Sequence, residues 1–232
     1  MSTRWHRGEW GKDTERWFPS EDYWTKPVKW NREAVSTGTR ARVFCVSMGD
    51  IFEDHDALPP HRERLWGLIR ATPHLDWLLL TKRPKGFSTM LPPDLLALPN
   101  VWPGLTMELV DYTWRLDQLV ALPAAGPRWV SYEPALGPVD FTPWLPAVSW
   151  IIVGGESGPQ ARPFDLLWAR QIIAQCRAAG AAPFVKQMGI RTMENGQRFP
   201  VKDIHDLSLW PADLRIREYP SSTVKAMAEA ER

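Results

Sequence analysis

Six short apolar runs, each ending in polar or charged residues, constrain this chain more than any other feature. They are VFCVSM (43–48), LDWLLLT (75–81), NVWPGLT (100–106), RWVSYE (128–133), SWIIVG (149–154) and PFVKQM (183–188). Each has strand length and is rich in Val, Ile, Trp and Phe, residues that suit a pleated sheet. The runs show little alternation, which predicts strands buried on both faces, as in parallel sheets. They start 21 to 34 residues apart, and helical stripes fall between several of them. Leu65, Leu68 and Ile69 make one stripe. Leu109, Tyr112, Leu116, Leu119 and Val120 make a second, and Leu166, Ala169, Ile173 and Cys176 a third. Alternating strand and helix with right-handed crossovers predicts an α/β fold. Strand number and spacing fit a partial TIM-like (β/α) barrel of about six mainly parallel strands.

One gap differs. PALGPVDFTPWLPAV, between the fourth and fifth runs, holds four prolines and leaves no room for a full helix. The flanks differ as well. Residues 1–42 carry nine Lys/Arg, six Asp/Glu and five tryptophans with little periodicity. They are expected to form an irregular Trp/Arg-rich segment with one short helix near Ser20–Trp24. Its large aromatics fit pinning of a loop to the core edge. The alternative is stacking on nucleic-acid bases. The barrel core is expected over 43–190. A hairpin and extension follow over 191–220, marked by Asn195-Gly196, and a frayed tail over 221–232.

Composition removes whole classes. With 232 residues, 44% hydrophobic and 24% charged, the chain can bury a core and is not disordered throughout. No apolar run approaches the roughly 20 residues of a membrane helix, and MSTRWHRGEW is no secretory signal. A net charge of +1 gives no bulk attraction to nucleic acid. Cys45 and Cys176 make neither a disulfide framework nor a four-ligand zinc site, which points to a reducing cytoplasm. Both read as small core hydrophobes. His55 and His61 flank Pro59-Pro60 without the i, i+4 spacing of a metal pair.

Chemistry in such folds collects where strands run into the following loops. There the first run delivers Ser47 and Asp50, the second Thr81, Lys82 and Arg83, and the third Thr106 and Glu108. The fourth delivers Ser131 and Glu133, the fifth Gly154, Gly155, Glu156 and Ser157, and the sixth Lys186 and Gln187. Acids and bases converging on one rim predict a polar ligand cavity. Glu108, Glu133 and Glu156 suit an amine, ribose hydroxyls or a cation. Lys82, Arg83 and Lys186 suit a carboxylate or phosphate. The glycines permit close backbone approach, but the spacing matches neither a dinucleotide fingerprint nor a P-loop. Glu133 and Glu156 also fit a two-carboxylate glycosidase pair.

The words VSMGDIF, LLLTKRP, the Glu108 strand end, VSYEPALGPVD, IIVGGESGPQARP and FVKQMG occur in that order. In this they resemble a phage and prophage family of unknown function, named for mycobacteriophage gene products thirty-seven and sixty-eight. The resemblance covers residues 16–220. That family is similar to radical S-adenosylmethionine enzymes, whose barrels hold a [4Fe-4S] cluster on three cysteines. The resemblance implies S-adenosylmethionine and the cluster as cofactors. It implies that Ser47, Asp50, Gly154, Gly155, Glu156, Ser157 and Gln187 face the cofactor, and that Lys82, Glu108, Glu133 and Lys186 line the catalytic side. A small-molecule or nucleotide ligand is the implied partner, nucleic acid a second.

The chain departs from the pattern in one respect. Full-length members carry a three-cysteine motif near the N-terminus, and only two cysteines exist here, in no such motif. The cluster-holding segment would precede Met1, so the chain is expected to be truncated or a degenerate member, inactive in this form. A first barrel strand is expected to be missing with the cysteines, leaving a sheet edge open. No bound metal is expected.

Overall fold

The computed structural model describes residues 16–45, 49–145 and 147–220. Six strands form one sheet: β1 (Ala41–Cys45), β2 (Leu75–Thr81), β3 (Val101–Met107), β4 (Arg128–Tyr132), β5 (Val148–Gly154) and, after a short strand elsewhere, β7 (Ala182–Gln187). The order across the sheet is β1-β2-β3-β4-β5-β7, and every pairing is parallel. Strands laid down in chain order with crossovers on one side curl the sheet into a half-barrel. From β2 onward each strand lies within one residue of its apolar run at either end. The first begins two residues early, at Ala41, and Val46–Met48 lie outside the described residues.

The crossovers follow the sequence stripes. Helix α2 (Pro59–Ala71) links β1 to β2, α3 (Lys85–Met90) and α4 (Pro93–Leu96) link β2 to β3, and α5 (Trp114–Val120) links β3 to β4. Helix α6 (Leu166–Ala179) leads into β7, starting under an Asp165 cap that accepts from the Leu167 amide at 2.9 Å. The proline-rich stretch between β4 and β5 carries no helix among its described residues. A main cluster containing Leu75, Trp77, Val101, Leu105, Val130, Ile151 and Val185 joins the outer face of the sheet to these helices.

The N-terminal flank departs from expectation. Instead of an irregular segment with one short helix, Glu21–Thr37 is a 17-residue helix, α1, ending at Gly38 with φ 65°. Its core-facing stripe is Trp24, Pro27, Trp30 and Ala34, of which Pro27 and Ala34 are buried and the two tryptophans partly so. Tryptophans and an internal proline, which ordinarily breaks a helix, carry that stripe and so disguise its period. Trp24 and Trp30 pack on the core, as pinning aromatics do. Trp5 and Trp10 lie outside the described residues.

Three short strands, β6 (Phe164–Asp165), β8 (Thr192–Glu194) and β9 (Gln197–Arg198), form a second sheet. β8 and β9 are the hairpin that Asn195-Gly196 announces. Both turn residues have positive φ, 52° and 77°, as a two-residue primed turn requires. Residues 216–218 cover the edge of β7, through bonds of Val185 N–H to the Ile216 carbonyl and Glu218 N–H to the Pro183 carbonyl at 2.8 and 3.0 Å. β1 is the opposite edge and pairs only with β2 among the described residues. The expected tail over 221–232 lies outside them. No helix among the described residues is long and apolar enough to cross a membrane.

Candidate functional site

Side chains alternate along a strand, so one parity fills the inside of the half-barrel. A second buried cluster shows which parity: Leu78, Trp102, Trp129, Trp150, Ile152 and Ala182, with Leu80 and Phe184 against it. The three tryptophans fill the interior. Trp129 Nε1 donates to the Trp102 carbonyl at 3.0 Å, and its ring stands where a Cβ on Gly104 would come within 2.2 Å of it. Phe44 of β1 reaches the Trp129 ring across the concave face at 5.8 Å. The barrel is thus packed below its rim, and the polar strand ends lie above that packing.

Counting on by twos from those core positions reaches Lys82, Glu108, Glu133 and Lys186 at the C-terminal strand ends. The structure brings them together in pairs. Lys82 Nζ lies 2.6 Å from Glu108 Oε1, and Lys186 Nζ 2.6 Å from Glu133 Oε2. Glu108 also accepts from Thr106 Oγ1 at 3.1 Å and from Arg115 at 3.3 Å. Glu156 accepts from the Arg162 amide at 2.7 Å and from Arg162 Nε at 3.1 Å, with a further short contact to its terminal nitrogen. Asp50 accepts from Thr81 Oγ1 at 2.8 Å, from the amides of Phe52 and Lys82 at 3.0 and 3.1 Å, and from Arg83 at 2.9 Å.

Depth orders these charges. The four carboxylates Asp50, Glu108, Glu133 and Glu156 retain 10–24% side-chain exposure, whereas their cations Arg83, Lys82, Lys186 and Arg162 retain 48–59%. Acids form a floor and bases an outer layer. Arg162 holds the Glu156 carboxyl below the usual range, its hydrogen bonds outweighing partial burial. Arg162 itself is raised chiefly by its hydrogen bond to Glu156 and also by the charge of Glu108. An acid held ionised is a poor proton donor, so Glu156 is ill-suited to the acid role in a glycosidase pair.

The other sequence candidates divide. Ser47 lies outside the described residues. Gln187 is buried and donates to the Gly155 carbonyl at 2.7 Å, tying the ends of β5 and β7. Gly155 is required by packing: a Cβ there would sit 2.5 Å from Gly189 Cα. Around Gly158 nothing lies within 4 Å of such a Cβ. No bond of the Ser157 side chain is seen among the described residues. Arg115 escaped the sequence reading. It is a buried cation at the start of α5, bonded to the Thr106 carbonyl at 3.0 Å as well as to Glu108. Nothing in its local pattern separates it from a solvated helix residue.

The two thiols do not fit a three-thiolate cluster. Cys45 ends β1 and Cys176 lies on α6. Both are buried in the outer core, where burial pushes each thiol up to about 12. Thiolates, not thiols, ligate iron. His61 stacks on Phe18 at 3.6 Å, and His55 Nδ1 accepts from the Ala57 amide at 3.1 Å, both local structural roles. No group of three or more metal-ligating side chains occurs among the described residues.

No curated protein and no solved structure matches this chain. A family model described as "Protein of unknown function (DUF5131)" matches residues 2–225. With the match running through every strand of the half-barrel and all four ion pairs of its rim, the chain belongs to that family of unknown function.

Proposed function

We propose that this chain is a ligand-binding half-barrel of the radical S-adenosylmethionine type, in which the polar rim holds a nucleoside-type cofactor beside a second small molecule. The observation that carries the reading is the convergence of four acid–base pairs from β1, β2, β3, β4, β5 and β7 on one mouth, above a filled interior. The cofactor end is the turn after β5. Glu156 offers a carboxylate kept ionised by Arg162, suited to an ammonium or ribose hydroxyls. The backbone at Gly158 stands open. Across the mouth, Lys82, Glu108, Glu133 and Lys186 orient the second molecule. A bound S-adenosylmethionine supplies an activated sulfonium. The cluster implied by the resemblance finds no ligand set in Cys45 and Cys176, so the roles of this chain rest with its carboxylates and cations.

Calorimetric titration of the chain with S-adenosylmethionine and S-adenosylhomocysteine tests this. One-to-one binding of both, with free methionine at least about tenfold weaker, is expected. No binding of either nucleoside at millimolar concentration would remove the cofactor reading. A rim without its own small-molecule ligand would leave the Trp/Arg-rich N-terminal flank as a nucleic-acid module.

A further inference from the structure

Two cations of the rim are surplus to the carboxylates they touch. Glu108 is already met by the buried Arg115 and by Thr106 Oγ1, so Lys82 is its second cation. Asp50 already accepts from a hydroxyl and two backbone amides before Arg83 adds to it. The other arm of Arg83 reaches Glu53 at 3.3 Å, and Glu53 is held at 2.9 Å through both oxygens by Arg16. Removing Lys82 or Arg83 from these contacts therefore strands no buried charge. The neighbouring Glu133 differs, because among the described residues Lys186 is the one group that donates to it.

Lys82 and Arg83 are adjacent in the turn after β2 and stand half-exposed above the acid floor. One is a compact ammonium, the other a planar fork that suits two oxygens of one group. Two cations at one turn match a dianion better than a single carboxylate. We infer that Lys82 and Arg83 capture a phosphate group of the second small molecule, making that molecule a phosphate ester. The inference rests on reading the mouth as a ligand site. In it, Lys82 and Arg83 swing from Glu108 and Asp50 to the phosphate oxygens. Arg115, Thr106, Thr81 and the amides of Phe52 and Lys82 keep the vacated carboxylates satisfied.

The test is calorimetric titration with adenosine 5′-monophosphate and with adenosine, in wild type, the double variant Lys82→Gln/Arg83→Gln, and the double variant Lys29→Gln/Arg32→Gln as an equal-charge control at exposed positions of α1. Wild type should bind the monophosphate at least about tenfold more tightly than adenosine, an advantage that shrinks as salt rises toward about 150 mM. The double variant should lose that advantage and keep its melting temperature within a few degrees, while the control loses nothing. If the double variant does not fold, each single substitution should lose part of the advantage. Equal binding of phosphorylated and plain nucleoside in wild type would overturn the inference. So would an advantage that survives the substitutions, or competition by acetate as effective as that by inorganic phosphate. Binding of S-adenosylmethionine without a phosphate advantage would sink this inference alone. A phosphate advantage without S-adenosylmethionine binding would sink only the cofactor reading.

Discussion

Lys186 Nζ meets Glu133 Oε2 at 2.6 Å, although β7 and β4 are not neighbours in the sheet. β5 runs between them, and at this level it contributes Gly154, which has no side chain to stand in the way. The contact closes one arc of the rim over a strand it skips.

The energetics of that pair can be measured. Lys186 is half-exposed, so solvent screens the attraction. A double-mutant cycle with Glu133→Gln and Lys186→Met should return a coupling below about 1 kcal/mol by denaturant unfolding. A coupling above about 2 kcal/mol would make the pair a structural clasp.

The glycines after β5 should separate in stability. Gly155→Ala drives a methyl into the Gly189 backbone, with Cα 2.5 Å and N 2.6 Å away. Neither backbone can yield cheaply, and a loss of about 1–3 kcal/mol is expected. Gly158→Ala meets no atom within 4 Å and should change stability by less than about 0.5 kcal/mol. Equal losses at both sites would contradict the packing assigned to Gly155.

Both thiols should be inert in the folded chain. Burial pushes Cys45 and Cys176 up to about 12, so the thiolate is scarce at neutral pH. A thiol-specific disulfide reagent should react within minutes only after denaturant is added, and then with both. Anaerobic reconstitution with iron and sulfide should leave no stoichiometric cluster after desalting. A cluster that survives would overturn the account of these thiols.

Acid should weaken the fold through Glu53 and Glu156. Arg16 and Arg162 respectively hold these carboxyls below their ordinary value of 4.5. A lowered folded-state value stabilises above the unfolded value, and that stability is lost as pH falls through the folded one. Unfolding free energy should therefore decline below about pH 4.5, and Glu156→Gln should flatten part of that decline. An acid limb identical in the variant and wild type would contradict the pairing with Arg162.

The barrel was legible because each buried strand carries its own apolar run, and Asn195-Gly196 admits few conformations besides a tight turn. The rim was legible because β-strand alternation carries Lys82, Glu108, Glu133 and Lys186 to one face once the core parity is known. What escaped had no periodic signal. Helix α1 hides its stripe behind Pro27 and two tryptophans. Arg115 resembles any charged helix residue until Glu108 is placed beside it. The packing role of Gly155 depends on Gly189, 34 positions along the chain, which no local pattern announces.

Glu156→Gln puts the cofactor reading to the most direct test. The variant keeps the shape of the side chain and removes its charge, so the Arg162 contacts weaken but are not lost. Titrated with S-adenosylmethionine, it should bind more weakly by about 1–3 kcal/mol, the scale of a charge-assisted hydrogen bond left unmade. Its stability should fall by no more than about 1 kcal/mol, since Arg162 is more than half exposed. The contradicting result is an affinity equal to wild type alongside a clear loss of stability, which would make Glu156 a structural partner of Arg162 and nothing more.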